Sequence, residues 1–475
     1  MIVGRTKERK ILLSLLDSGK SEFAAVYGRR RVGKTYLIRE TFKYKFAFQH
    51  TGLQGVDRDG QLEEFANSLI LAGCKDVQTP RNWSQAFFML GNFLNTLPSG
   101  KKVIFIDELP WLDTPCSKFV SALDHFWNAW ATARKDIVLI VCGSATSWII
   151  SKIVMNYGGL HNRITRQIYL EPFTLKECEQ YAKSRRLGMK RRNILETYMV
   201  LGGIPFYWDF IDREQSWAQN IDRMFFSPNG EMTREFTALY SSLFRRPQDY
   251  INVVKTLGKK KAGMTRSEII KFLGEDHGGA LTKILNELDE CDFIRSYNSI
   301  GKNKKDTIYQ LIDNFTLFYF KFIADKKINS KNYWSNTIKT PLYNAWSGLA
   351  FERVCLQHIE QIKKALGISG IVSNVYSWVY RPENETDTGV QIDILIDRDD
   401  NVINLCEVKF SKDEYEINAS YDKTLRRKAS IFERKTNTKK AVTTVMITTY
   451  GLVRNSYSDD IQNQITLDDL FADIN

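Results

Sequence analysis

Between Met1 and about Pro172, short apolar runs alternate with longer amphipathic stretches. Phe23 to Tyr27, Val103 to Ile106 and Ile137 to Cys142 are continuous apolar runs of strand length, each followed by helix-forming sequence. Strands buried on both faces read this way, and their alternation with helices builds a parallel sheet covered by helices. Residues 173 to 240 lack such runs. They are rich in helix formers and broken by Gly202-Gly203-Ile204-Pro205, a helix stop followed by a restart, which predicts a small helical lid. Over 241–325 the pattern predicts helices at Tyr250 to Leu257 and Thr265 to Leu273 and a turn at Gly278-Gly279. A helix at Leu281 to Cys291 and strands at Phe293 to Tyr297 and Thr307 to Ile312 follow. Helix, helix, helix and hairpin is the order of a winged helix. A polar connector, Lys326 to Thr340, leads into the last segment, 335–475. There a helix at Asn344 to Leu366 precedes strands at Ile371 to Tyr380, Val390 to Ile396 and Val402 to Phe410, a helix at Tyr421 to Lys435 and a strand at Val442 to Thr448. The expected fold is α/β and multidomain, in four parts: 1–172, 173–240, 241–325 and 335–475.

Composition narrows the class. A chain of 475 residues exceeds one core and, at roughly 150 residues per domain, suggests about three. Hydrophobic residues at 43% and charged residues at 26% match a globular protein and argue against disorder. The run Ile137 to Cys142 is far short of the ~20 apolar residues that cross a bilayer, so no membrane partner is expected. Met1-Ile2-Val3-Gly4-Arg5 has no apolar signal core, and the seven cysteines are scattered without a Cys-x-x-Cys pair. The expected location is therefore the cytoplasm, and neither disulfides nor zinc are expected. The net charge of +12 suits a polyanionic partner but is uneven: 335–475 holds 17 basic and 20 acidic residues, net −3, and 1–334 holds 50 and 35, net +15.

The most specific motif is Gly28-Arg29-Arg30-Arg31-Val32-Gly33-Lys34-Thr35, a complete G-x-x-x-x-G-K-[ST] loop between a strand and a helix. Its glycines let backbone N–H groups close round phosphates, Lys34 neutralises the β and γ oxygens, and the Thr35 hydroxyl holds Mg²⁺. The apolar run Val103 to Ile106 ends in Asp107-Glu108, which supplies a water-mediated Mg²⁺ ligand and a general base for the attacking water. Ser144, after the third strand, is placed to sense the γ-phosphate. Arg163, or Arg166 beside it, would stabilise transition-state charge if it reached that phosphate, and is otherwise a solvated arginine. The expected substrate is ATP with Mg²⁺.

The first 240 residues resemble the archaeal-type ATPase branch of the AAA+/STAND class of P-loop ATPases. Val3-Gly4-Arg5 with Glu8 resembles that family's base-binding motif, the loop its Gly-Arg-Arg-x-x-Gly-Lys-Thr, and Gly143-Ser144 its sensor segment. Gly202-Gly203-Ile204-Pro205 resembles its lid motif, which places Pro205 near the adenine. Where the family reads Tyr-Gly-Arg, this chain has His161-Asn162-Arg163, keeping the arginine but not its glycine. A finger acting between subunits would require an oligomeric ring, whereas an intramolecular switch would leave a monomer, and composition leaves both open.

In the winged helix, Lys259-Lys260-Lys261 and the wing Gly301-Lys302-Asn303-Lys304-Lys305 offer contacts to DNA phosphates. Against this, the outward residues of the third helix include Glu287, Asp289 and Glu290 beside Thr282, Lys283 and Asn286. In the last segment, Asp393 lies in one strand and Glu407-x-Lys409 in the next, with Glu407 and Lys409 on one face. Two carboxylates and a lysine at such positions hold divalent metal and orient water for phosphodiester attack. This pattern resembles the PD-(D/E)xK nuclease superfamily, with a restriction-endonuclease-like α/β fold. The resemblance implies Asp393 and Glu407 as metal ligands, Glu352 as an additional acid, and Mg²⁺ or Mn²⁺ as the metal. The basic helix patch Lys423, Arg426, Arg427 and Lys428 is either a substrate track or a solvated face. The whole chain resembles an ATPase family whose C-terminal part was long called a domain of unknown function. The expected function is an ATPase whose nucleotide state controls a nuclease-like domain acting on DNA. The alternative is a STAND-like switch, or a DNA- or protein-binding regulator, with an inactive nuclease fold.

Overall fold

The computed structural model describes residues 2–474 except 145, 155–162, 275–277, 299, 301–306, 325, 327–331 and 383–388. The wing lysines 302, 304 and 305, and His161-Asn162, therefore lie outside the described residues. The chain divides into two compact units, 1–172 and 173–475.

The first unit is built on five parallel strands, β1 (Glu22–Tyr27), β2 (Phe48–Thr51), β3 (Lys102–Asp107), β4 (Ile137–Gly143) and β5 (Arg166–Tyr169), in the order β2-β3-β4-β1-β5. The three central strands are the three apolar runs, and almost every residue in them is buried. The apolar runs do not reveal the two edge strands. β2 alternates buried and half-buried residues over four positions, and β5 buries only Ile168 fully. Aromatic side chains of the flanking helices, Phe65, Trp83, Phe87, Phe119 and Trp127, close one core around the sheet. Because β4 lies between β1 and β3, the C-terminal ends of all three strands meet on one edge. In an open α/β sheet this edge is where ligands bind.

The second unit begins with helices, among them Arg191–Leu201 and the short Pro205–Trp208. Three helices, Pro247–Leu257, Arg266–Leu273 and Gly278–Glu290, then accompany three antiparallel strands, β6 (Met264–Thr265), β7 (Ile294–Tyr297) and β8 (Ile308–Leu311), ordered β6-β8-β7. Gly278-Gly279, expected as a turn, instead opens the third helix. A mixed sheet follows, made of β9 (Ser373–Tyr380), β10 (Val390–Arg398), β11 (Val402–Lys409), β12 (Ala441–Thr448) and β13 (Asn463–Ile465), side by side in reverse chain order. β9, β10 and β11 pair antiparallel, and β11, β12 and β13 pair parallel. The helix Ala419–Thr436 connects β11 to β12 and packs on the sheet through Ile431 and Phe432.

The helix expected from Asn344 to Leu366 is two helices, Pro341–Gln357 and Ile359–Ala365, broken at His358. The cause lies in that side chain. His358 is buried, its Nδ1 lies 2.8 Å from the Val354 carbonyl, and its Nε2 accepts the Leu175 N–H at 2.9 Å. The acceptor role at Nε2 puts the ring proton on Nδ1, so the neutral ring ties this helix break to the first helix of the unit. Burial lowers the His358 pKa to about 4. An unfolded histidine titrates near 6.5, so His358 stabilises the fold fully above pH 6.5 and loses that contribution as the pH falls toward 4. We expect the stability advantage of wild type over His358→Gln, followed by urea unfolding of the full chain, to shrink by up to ~3 kcal/mol across that window. A difference independent of pH would show that the ring is not held neutral.

Candidate functional site

The phosphate-binding loop leaves β1 at Tyr27 and enters the helix Lys34–Thr41, with Gly33 as its N-cap. Gly28 has φ +142°, and a Cβ there would lie 2.4 Å from the Leu170 carbonyl oxygen, so only glycine fits where the loop departs beside β5. Lys34 is buried, and its ammonium donates to the carbonyls of Gly28 and Arg29, both at 2.9 Å. It therefore lies across the loop that the sequence assigns to phosphate. Arg29 is buried and Val32 is fully enclosed, whereas Arg30 and Arg31 are half-buried.

Asp107 ends β3, and its Oδ2 accepts from Thr35 Oγ1 at 2.8 Å. Its Oδ1 accepts from the Glu108 N–H at 2.9 Å and from Cys142 Sγ at 2.6 Å. Burial, followed by the Asp107 charge, pushes the Cys142 thiol up, so it remains a donor. Sequence reasoning passed over this cysteine. Its penultimate place in β4, the strand next to β3, is the signal that locates it. Glu108 adopts φ +46°, and its carboxylate accepts from the Ser144 hydroxyl at 3.1 Å. Thr35, Asp107, Glu108 and Ser144 thus meet at one edge of the sheet.

Arg163 does not join them. It is exposed on the turn before β5, where Arg166 pairs with Ala24 and Tyr169 with Tyr27. At about 3.3 Å per residue, Arg163 is roughly 20 Å along the strand direction from the loop. Within one chain it does not reach the phosphate loop, and the reading as a solvated arginine fits its exposure. Pro205 belongs to the second unit, at the first position of the helix Pro205–Trp208.

In the second unit, Ile394 pairs with Cys406. Asp393 follows at a bulge of β10 between Ile392 and Leu395, and its Oδ2 accepts from the Val408 N–H, next to Glu407 on β11, at 3.4 Å. Asp393 and Glu407 are buried, as is Glu352 on the helix Pro341–Gln357. Their partners differ. Glu352 Oε1 and Asp393 Oδ1 share the ammonium of Lys261, which is 3.0 Å from Asp393. Glu407 is engaged by Lys428 at 2.6 Å, Tyr421 at 2.7 Å and Lys409 at 3.1 Å. Burial raises the Glu407 carboxyl, but Lys428 and then Lys409 outweigh it and hold the group ionised. Among the described residues no three His, Cys, Asp or Glu side chains converge as a metal group. The three acids expected to share one metal are instead divided between two sets of lysines.

Lys261 and Lys428 thus do something the sequence did not suggest. Of the turn lysines expected to meet phosphates, Lys260 bonds Glu268 at 2.7 Å and Lys261 bonds the two acids, so only Lys259 is exposed. Lys428 leaves the expected basic helix patch for Glu407, while Lys423, Arg426 and Arg427 stay exposed, Arg426 paired with Asp422 at 2.9 Å. Tyr421 and Lys428, seven residues apart, share a helix face, and that spacing alone would have paired them. The third helix also differs from expectation. Glu287 bonds Tyr250 and Asp289 bonds Ser296 at 2.6 Å, so its exposed residues include Thr282, Lys283 and Asn286 rather than an acidic row.

The parallel sheet, the loop that follows β1 and the Thr35–Asp107 pair resemble those of P-loop ATPases. A family described as an ATPase domain predominantly from Archaea matches residues 2–208. An uncharacterized protein of Methanocaldococcus jannaschii is 26% identical over 396 residues, covering 81% of this chain and 83% of its own. That likeness extends past the ATPase domain into the second unit. Among solved structures, the Walker-type ATPase of Pyrococcus abyssi gives a TM-score of 0.48 at 16% identity, covering 67% of this chain and 96% of that one. The ORC2 protein of Aeropyrum pernix, in ADPNP–ADP complexes, gives 0.40 at 11% identity, covering 75% and 95%. No helix among the described residues is long and apolar enough to cross a membrane.

Gly28→Ala should destabilise the first unit by about 1–3 kcal/mol and remove nucleotide binding. Thermal unfolding with and without ATP checks this, and an unshifted, ATP-responsive transition would contradict the loop geometry.

Proposed function

We propose that the first unit hydrolyses ATP with Mg²⁺ and that its nucleotide state controls a metal-dependent, DNA-cleaving site in the second. The observation that carries the ATPase half is the 2.8 Å contact between Thr35 and Asp107. A hydroxyl and a carboxylate brought together beside a phosphate loop are the donor set that Mg²⁺ takes in this class. Mg²⁺, when bound, neutralises developing phosphate charge. Lys34 exchanges its loop carbonyls for phosphate oxygens. Glu108, held by the Ser144 hydroxyl, polarises the attacking water and receives its proton.

The nuclease half is supported by Glu407 and Lys409 on one face of β11 and by Asp393 on the adjacent strand β10. It is supported too by the helix, three-strand, helix, strand order around them. A divalent metal there would supply Lewis-acid charge, with Asp393 and Glu407 as ligands and Glu352 as the additional acid. Lys409 would orient water at the scissile phosphate. The segment 335–475 is net negative, so DNA is held mainly by the basic remainder. We read 241–325 as a winged helix that offers Thr282, Lys283 and Asn286 on its third helix. As a pure output switch, the protein would keep this fold without its metal chemistry.

Lys34→Ala should abolish ATP turnover, and Glu108→Gln should lower kcat by roughly 10²–10⁴ while retaining ATP binding. Steady-state phosphate release and nucleotide titration separate the two. Asp393→Ala should leave turnover intact and remove Mg²⁺- or Mn²⁺-dependent plasmid nicking. Nicking that survives this substitution would refute the site, and turnover without nicking under any metal or nucleotide condition would favour the switch.

A further inference from the structure

A lysine from the turn that closes the helix Pro247–Leu257 reaches two acids of a different segment. Its ammonium is 3.0 Å from Asp393 Oδ1 and also bonded to Glu352 Oε1. The turn is fixed for this purpose. The Lys261 carbonyl accepts from Gln310 Nε2 at 2.7 Å and from the Arg353 guanidinium, and the Ala262 carbonyl accepts from the Tyr297 hydroxyl at 2.6 Å. Gly263 closes the turn at φ +84°, where a Cβ would lie 2.5 Å from the Tyr309 carbonyl oxygen. Nearby, Arg295 of β7 donates to Ser377 at 2.9 Å, and Ser377 donates to the Asp393 carbonyl at 2.8 Å. The 241–325 segment is thus bonded to Asp393 directly through Lys261 and indirectly through Ser377 of β9.

The charges explain why this is more than an ordinary ion pair. Two carboxylates, each less than a tenth exposed, share the Lys261 ammonium, and the buried Arg353 guanidinium adds its charge nearby. A divalent ion that takes carboxylate oxygens as ligands is the other kind of cation that fits between two such acids.

We propose that Lys261 is an internal stand-in for a divalent cation: its ammonium occupies the seat between Glu352 and Asp393, so lysine and metal exclude one another and the C-terminal site stays closed until the Gly258–Gly263 turn is withdrawn. The proposal rests on the reading of Asp393 as a metal ligand. The turn that a DNA-binding role would aim outward at phosphates is aimed inward instead, at the acids that a nuclease would need for metal.

The test is Mn²⁺ binding to the nucleotide-free full chain, read as free Mn²⁺ by electron paramagnetic resonance. It compares wild type, Lys261→Met, which keeps most of the side-chain stem, and each protein with Asp393→Asn added. If the metal-ready state is a minor population, Lys261→Met should bind an Asp393-dependent Mn²⁺ at least ~10-fold tighter than wild type. Equal Asp393-dependent affinity in wild type and Lys261→Met would overturn the exclusion and leave the metal site standing. No Asp393-dependent Mn²⁺ in either protein would overturn the metal-ligand reading and the stand-in with it. If Lys261→Met fails to fold, acetylation footprinting of the wild type decides. Lys261 should react more slowly than the exposed Lys259 without metal and approach its rate at saturating Mn²⁺, whereas a rate unchanged by bound Mn²⁺ would overturn the proposal.

Discussion

A carboxylate withdrawn from water must be given a cation or a set of donors, and the polar architecture of both units follows from that constraint. Asp107 is satisfied by Thr35, Cys142 and the Glu108 amide. Glu407 is satisfied by Lys428, Lys409 and Tyr421, and Asp393 and Glu352 by Lys261. The Glu108 amide and Lys409 are local, but Thr35, Cys142, Lys428, Tyr421 and Lys261 come from other elements, so satisfying the acid also fixes how those elements pack. For Asp107 this brings the phosphate loop onto the sheet edge. For Asp393 it brings the turn after the helix Pro247–Leu257 onto the C-terminal sheet.

The same contacts carry the chemistry. The donors that satisfy Asp107 include the Thr35 hydroxyl that Mg²⁺ would share with it. On the proposed reading, the group that satisfies Asp393 and Glu352 is a cation that metal would have to displace, and that displacement is what nucleotide would control. A conformational change has a consequence at the second site only if it alters a contact made in one state and not the other. On the proposed reading the Lys261 contact would be such a contact, one of several that join 241–325 to the C-terminal segment.

The legible parts of the sequence were those with local causes. The apolar runs of β1, β3 and β4 are buried on both sides and read as strands, and the phosphate loop is defined by residues within eight positions of one another. The edge strands β2 and β5 are short and half-exposed, so their hydrophobic pattern carries no signal. The break at His358 was hidden because helix propensity continues through it, while a tertiary bond from Leu175 decides the matter. The acids Asp393 and Glu407 were legible from strand alternation, but their partners were not. Lys261 lies 132 positions from Asp393, and a run of three lysines in a turn carries no mark of which one points inward.

The central claim is that nucleotide state governs the C-terminal site. The most direct measurement is the rate of Mn²⁺-dependent plasmid cleavage by Glu108→Gln protein, which should hold ATP without turning it over, with and without ATP, beside Lys34→Ala as the unresponsive control. The account predicts that ATP changes the Glu108→Gln rate severalfold and leaves the Lys34→Ala rate unchanged. Identical cleavage rates with and without ATP in the Glu108→Gln protein would contradict it.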